Sequence, residues 1–172
     1  MAITFRKLTA QDSARYREIR LESLKAHPES FGADYEKQKA MPKLMFQKAL
    51  EQPCDDRFVF GAFDKDRLIG ITAFVPFVLE KKDELADTGS IIQVYVEPAY
   101  RGGKVGLNLM THVVKEAFKQ PTIQRIQLGV MLENLSAIRI YQQAGFITLD
   151  PEDTSFGAIE SGGLKMVQHR QS

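Results

Sequence analysis

Ile3 and Phe5 alternate with polar neighbours, a period of two that predicts a short strand. Thr9-Ala10-Gln11-Asp12 then has capping-box spacing, with Asp in place of the usual Glu. It opens a helix of about 14 residues that ends near His27-Pro28. Residues 28–39 read as a turn followed by an irregular or weakly helical piece. Pro42 suits the first turn of a second helix, with Met45, Phe46, Ala49 and Leu50 as its buried stripe. Residues 58–63 and 68–77 are β-rich runs joined by Asp64-Lys65-Asp66-Arg67, a polar connection of hairpin length. Pro76 belongs at the frayed end of its strand, where a missing N–H matters least. Residues 80–88 are charged and predict an exposed loop. The run 91–96 is the most apolar in the chain and predicts a buried central strand.

After Pro98 the period changes. Val105, Leu109, Val113 and Ala117 recur every four residues, with Met110 and Val114 widening the stripe, and Gln120-Pro121 ends that helix. Ile126, Leu128 and Val130 alternate as another strand. Asn134 can cap a helix that runs through Ala144, with Gly145 as its C′ residue. Residues 146–149 and 164–167 predict two closing strands. The resulting order, β-α-α-β-β-β-α-β-α-β-β, indicates an α/β fold with a mixed sheet. No internal repeat or long linker divides residues 1–172, so one domain is expected.

Composition narrows the partners. A net charge of +1 gives no field that argues for nucleic acid or an anionic membrane surface. No run approaches the ~18 apolar residues of a membrane span, and the first residues contain no apolar h-region, so a cytoplasmic protein is expected. Cys54 is the only cysteine, and without an activating neighbourhood it reads as an ordinary loop residue. His27, His112 and His169 are separated from one another and lack metal-ligand spacing, so no metal is expected.

The junction at residues 94–106 concentrates the chemistry. Pro98 stops the strand, and Gly102, Gly103 and Gly106 then fall where a helix begins. The first amides of a helix lack intrahelical partners and carry a partial positive charge, and glycines let a phosphate approach them. Arg101 and Lys104 add cations. The spacing matches neither the P-loop, since no Ser or Thr follows Lys104, nor the dinucleotide fingerprint. On the glycines alone, a tight turn explains them equally well.

The run VxPxYRGGKVG, followed some thirty residues later by NLSAIRIYQQAGF, resembles the GCN5-related N-acetyltransferase (GNAT) superfamily of bacterial type. Its second motif is matched in full by Asn134, Ala137, Tyr141, Gly145 and Phe146. In its first, Arg101, Gly103 and Gly106 fit, while Lys104 stands where the family usually has a glycine. The resemblance implies a mixed, mostly antiparallel central sheet flanked by helices, and an enzyme that moves the acetyl group of acetyl-CoA, its co-substrate, to a primary amine. It implies that the backbone of Val94, Tyr95 and Val96 pairs with the pantetheine arm, and that the amides of Arg101, Gly102, Gly103, Lys104, Val105 and Gly106 hold the pyrophosphate. Asn134 would contact the cofactor or order the loop, and Tyr141 would protonate the departing thiolate.

The same resemblance places acceptor binding near Phe31, Tyr35 and Glu36. It locates the base of some relatives at residues 90–93, which contain no carboxylate here. Glu97 is the nearest acid, beside either a base role or that of a solvent-exposed strand-end charge. Direct attack through an ordered water needs no dedicated base. A small-molecule or peptide amine is the expected acceptor. Many relatives form homodimers, which the sequence neither supports nor excludes. A non-catalytic acyl-CoA-binding or sensing module is the alternative that keeps the cradle.

Overall fold

A computed structural model describes residues 2–28, 34–53, 56–76, 86–153 and 162–172. In chain order the elements are β1 (Ile3–Lys7), α1 (Ser13–Ala26), α2 (Tyr35–Ala40), α3 (Met45–Glu51), β2 (Phe58–Asp64), β3 (Arg67–Pro76) and β4 (Thr88–Val96). They continue with α4 (Val105–Ala117), β5 (Arg125–Met131), α5 (Leu135–Gln143), β6 (Ile147–Thr148) and β7 (Gly163–His169). The strands form one sheet in the order β1-β2-β3-β4-β5-β7-β6. Every neighbouring pair is antiparallel except β4 and β5, which run parallel.

The sheet is covered on both faces, and strand alternation sends side chains to each. On one face Phe60, Ile69, Phe74, Ile91 and Ile126 pack against the stripe of α4, and Tyr141 of α5 joins the same cluster. On the other face Val59, Phe63, Ile71 and Tyr95 pack against Tyr16 and Ile19 of α1 and Phe46 and Leu50 of α3. Fully burying a side chain such as Phe46 is worth roughly 1.5–3 kcal/mol. Pro76 is the last described residue of β3 and lies opposite Gly89 of β4.

Several expectations shift. Among the described residues three α-helices, not two, lie between β1 and β2. Tyr35–Ala40 is a helical turn and a half, started by Asp34, whose side chain accepts from the Lys37 amide at 3.2 Å. The next helix begins at Met45, beyond Pro42. There Met45 is exposed and Gln47 is buried, because Gln47 accepts from the Leu44 amide at 2.9 Å and donates to the Ser13 hydroxyl at 3.2 Å. β4 starts at Thr88 rather than Ile91, since Thr88, Gly89 and Ser90 pair with β5 on one side while Gly89 and Ser90 pair with β3 on the other. Gly89 permits this: a Cβ there would lie 2.2 Å from the Phe74 ring. β6 keeps only Ile147 and Thr148, because Phe146 turns inward to finish α5. Residues 80–85 of the expected loop, Phe77 and Cys54 lie outside the described residues.

The feature that shapes the molecule is a break in register on β4. Ile71 of β3 faces Tyr95, yet Ala73 faces Ile92, so one residue of β3 spans two of β4. Gln93 accommodates the extra length in the left-handed region, at φ 58°. Its side-chain oxygen accepts from the Tyr16 hydroxyl at 2.6 Å. Beyond Ser90, β4 and β5 part: their pairing stops at Ser90 opposite Gln127. The two parallel strands therefore form a fork that opens toward their C-terminal ends.

A second left-handed residue sits at the mouth of this fork. Lys104, the residue before α4, has φ 63°, the conformation that explains why a glycine is usual there. A side chain in that region costs about 1–2 kcal/mol, partly offset by the greater unfolded-state freedom of glycine. Lys104→Gly should therefore raise unfolding free energy by about 0.5–1 kcal/mol, read as a higher urea midpoint with an unchanged m-value.

Candidate functional site

At the open end of the fork both strands are followed by helices whose N-termini face it, the usual place for a ligand in a parallel α/β unit. After β4 a short 3-10 turn, Pro98–Tyr100, leads through Arg101 to Lys104 into α4. Among the described residues, the backbone amides of residues 102–107 have no acceptor, the first amide taken up being that of Asn108, which donates to Lys104 at 3.0 Å. Gly102 has φ +87° and open space around its missing Cβ. A Cβ on Gly103 would meet nothing closer than the Tyr100 carbonyl at 3.9 Å. Gly106 is glycine for a different reason: a Cβ there would touch Ile140 of α5 at 3.3 Å, so it sets the approach of the two helices. The arrangement fits a pyrophosphate group, with unpaired amides, a helix dipole and no side chain in the way.

Val94 and Val96 lean toward α4 and α5 and are half-buried, while Tyr95 points to the opposite face and is buried. Among the described residues, no strand pairs with the β4 edge that faces the fork here. It is therefore a free edge for an extended ligand. Asn134 caps α5, its Oδ1 accepting from the Ala137 amide at 3.2 Å. That bond starts the helix that carries Tyr141.

The far end of α5 holds Tyr141 in place. The Phe146 amide donates to the Tyr141 carbonyl at 2.9 Å and the Gly145 amide to that of Gln142 at 3.1 Å, with Gly145 at φ +105°. This is a Schellman ending, and its usual hydrophobic contact is the Tyr141–Phe146 ring pair, 6.4 Å between centroids. Burial pushes the Tyr141 phenol up to about 12. No side chain among the described residues hydrogen-bonds to it. The structure thus brings the Val94–Val96 edge, the residues 101–106 loop, Asn134 and Tyr141 to the two strands and two helices of one fork.

Arg101 departs from its expected task. Its Nε donates to the Val96 carbonyl at 3.0 Å and its Nη2 lies 3.2 Å from His27 Nε2, so the guanidinium is turned back toward the end of α1. It also lies over the Tyr95 ring, 5.8 Å from the centroid. Tyr95 in turn donates to Glu22 of α1 at 2.9 Å. Burial and this carboxylate together push the Tyr95 phenol up to about 12. His27, expected at the surface and apart from the other histidines, is therefore part of the contact between α1 and the loop.

Glu97 is not an exposed strand-end charge. It is buried and pairs with Arg67 at 2.7 Å. Burial raises its pKa above the ordinary carboxylate value, with Arg67 opposing and Glu22 adding to the rise. Tyr35 lies on α2 with Lys39 over its ring at 5.7 Å, and no contact among the described residues joins it or Glu36 to the fork. Phe31 lies outside the described residues.

The closed end of the fork holds groups that the sequence motifs do not mark. Gln127 donates to the Ser90 hydroxyl at 2.5 Å, both buried, on the face toward α1. The available signal was a polar residue at the same face of two otherwise apolar strands. Among the described residues no group of three or more His, Cys, Asp or Glu could hold a metal ion, and no helix is long and apolar enough to cross a membrane.

Comparison with known proteins agrees with this geometry. A sequence model of the acetyltransferase (GNAT) family matches residues 16–146. "Probable N-acetyltransferase YjcK" of Bacillus subtilis is 30% identical over 59% of this chain and 53% of its own length. "Acetyltransferase PseH" of Campylobacter jejuni is 30% identical over 66% of this chain and 64% of its own. The matches thus span between about half and two thirds of those relatives. The PaiA N-acetyltransferase of Thermoplasma acidophilum, solved with coenzyme A, superposes with a TM-score of 0.71 at 20% identity, over 99% of this chain and all of that one. The fork, its cradle and the matched span together assign this chain to the acetyltransferase (GNAT) family.

Proposed function

We propose that the protein transfers the acetyl group of acetyl-CoA to a primary amine by direct attack within a ternary complex. One observation carries the reading: the unpaired amides of residues 102–107 and the buried Tyr141 belong to the same fork. The amides of Gly102 to Gly106 hold the pyrophosphate, and the β4 edge at Val94–Val96 pairs with the pantetheine arm. Arg101 contributes its backbone and steadies the loop against α1, and Lys104 offers its amide and an exposed cation at the mouth. Asn134 orders the start of α5. Acetyl-CoA supplies the thioester carbon that the amine attacks; the relative from Thermoplasma acidophilum, solved with coenzyme A, supports that donor.

Tyr141 is the proton donor to the departing sulfur. A phenol is competent only while protonated, and burial keeps it so. Raising its pKa to about 12 extends the donor form upward in pH, well past the ~8.5 of a thiol. No carboxylate lies at residues 90–93, so the amine loses its proton to water, and the acceptor's own pKa sets the rising limb. Glu97, occupied by Arg67, is kept from this task.

The direct test is incubation with acetyl-CoA and a broad amine panel while free thiol is followed. Thiol release with one class of amine is expected. Tight acetyl-CoA binding with no release from any amine would mean a binding module instead.

Tyr141→Phe should lower kcat by about 100-fold or more, with acetyl-CoA affinity within about threefold of the parent. A large loss of affinity at unchanged kcat would make Tyr141 a packing residue. In the parent enzyme, the pH–kcat profile should show no falling limb near pH 10, the value of an unperturbed phenol, because the donor titrates at about 12.

Gly103→Val separates the cradle from the fold. Its Cβ would make only an ordinary van der Waals contact, with the Tyr100 carbonyl at 3.9 Å, so the melting temperature should hold, while acetyl-CoA affinity falls about tenfold or more, or about 1.4 kcal/mol. Unchanged affinity by calorimetry would remove the phosphate from this loop.

A further inference from the structure

Gln93 occupies a costly position. Its φ of 58° lies in the left-handed region, where a side chain is strained and glycine is not. Glycine would form such a bulge at least as well, so the backbone gives no reason for a glutamine. Strain of this kind collects at ligand sites. The side chain points to the face of α1, where the Tyr16 hydroxyl donates to its Oε1 at 2.6 Å. Tyr16 is fully buried, and burial raises the pKa of its phenol, so the hydroxyl keeps its proton.

That bond sets which way the carboxamide faces. Among the described residues the Tyr16 hydroxyl has one hydrogen-bond partner, Gln93, and the charged group that acts on it is the Arg20 guanidinium. A guanidinium has donors alone, so the phenolic proton goes to Gln93 Oε1. A carboxamide turned the other way would leave that proton unpaired in the core. Nε2 therefore faces away from Tyr16 with two N–H groups. Among the described residues it has no acceptor, and solvent reaches it, since Gln93 is half-buried and this nitrogen is not among the buried unpaired atoms. Gln93 stands just past Ser90, the last residue of β4 that pairs with β5, and so at the closed end of the fork.

An arm laid along the β4 edge from the cradle passes Val96 and Val94 and ends beside Gln93. With Tyr141 as proton donor, the sulfur leaves toward the α4 and α5 face, and the amine comes from the face of α1, where the Gln93 carboxamide lies. The amine nitrogen must reach the thioester carbon at that end, so the acceptor atom that Nε2 meets lies a bond or two from the nitrogen. We infer that the acceptor is an amine with a carbonyl or hydroxyl oxygen on the carbon next to the one bearing the nitrogen, and that Gln93 Nε2 donates to this oxygen. Tyr16 is the positioning residue that holds the donor outward. The inference rests on the transferase reading above and adds the class of acceptor to it. An alkyl amine or a polyamine would strip water from Nε2 and return no acceptor, and an unmade hydrogen bond costs more than a made one gains.

Initial rates of thiol release test it with pairs of equal shape, compared at equal free-base concentration: alaninamide against 3-methylbutan-2-amine, and 2-aminoethanol against propylamine. The oxygen-bearing member of at least one pair should be preferred about tenfold or more in kcat/KM, chiefly through KM. The pair that responds identifies carbonyl or hydroxyl. Gln93→Gly keeps the left-handed backbone and should bring that ratio to within about threefold of unity, with the parental acetyl-CoA affinity by calorimetry. Gln93→Asn, whose carboxamide is one methylene shorter, should do the same and serves where the glycine variant does not fold. Tyr16→Phe should lower the ratio partway in the parent and have no further effect on it in Gln93→Gly. Preference for the alkyl members, or a loss shared equally by both members of a pair, overturns the inference while the transferase reading stands. The shared loss would put Nε2 on the thioester oxygen instead. Failure of the parent protein to bind acetyl-CoA overturns both. If acetyl-CoA binds and no pair turns over, melting temperatures with CoA plus the N-acetylated members of each pair decide. A rise confined to an oxygen-bearing product and abolished by Gln93→Gly upholds the inference, and its absence overturns it.

Discussion

The molecule depends on β4 pairing with β5 over only three residues. A continuous parallel pair would close the sheet and leave the helices after β4 and β5 with nothing between them. Here the pairing ends at Ser90 opposite Gln127, and the extra residue at Gln93 turns the rest of β4 away. An unpaired strand edge inside a sheet is a liability, because its donors and acceptors await a partner. In this fold that edge lies between two helix N-termini, so the same opening offers strand-like hydrogen bonds and a phosphate cradle to one extended ligand. The local cost is visible on β3. Thr72, which faces the break, is fully buried, and its hydroxyl has no hydrogen-bond partner among the described residues.

The fork stays open because both of its arms are braced from outside. Arg101 and Tyr95 tie the end of β4 to Glu22 on α1 and to His27 just past its end. On the other arm, β5 pairs along its whole length with β7. Gly106 allows α4 to approach Ile140 closely, so α4 and α5 pack against each other beside the opening. Tyr141 benefits from this rigidity. It belongs to the end of α5 that is closed by Gly145 and covered by Phe146, and it therefore has little freedom to leave its position. A phenol fixed in this way would need no further partner to orient it for the role proposed for it.

How much of this was legible in the sequence follows from the range of each interaction. The four-residue recurrence of Val105, Leu109, Val113 and Ala117, the two-residue alternation of the strands, and the Asn134 and Gly145 caps are local patterns, and each became the expected element. The cradle and Tyr141 could be named because the chain carries two spaced motifs. What remained hidden is long-range. Gln93 lies in a run of strand-forming residues with no glycine to mark a bulge, and its partner Tyr16 is 77 residues away. Gln47 looked too polar for a core position until Ser13 and Leu44 met its hydrogen-bonding groups. Arg101 looked like a phosphate grip because nothing nearby in sequence competes for it, and His27, 74 residues away, does so.

The two faces of the sheet divide the chemistry between them. Donor-side groups are apolar or backbone: Val94, Val96, the free amides of the loop and a phenol kept protonated by burial. The opposite face has polar side chains at the same level, with Tyr16 on Gln93 and Gln127 on Ser90. On the proposed reading a backbone cradle would recognise what all donors of one kind share, their phosphates and extended arm, and Lys104 keeps the left-handed backbone that such a loop needs. Side chains recognise what differs among acceptors. On that reading the donor half of the reaction would be carried by motifs that recur across a family, and the acceptor half by residues that no motif collects.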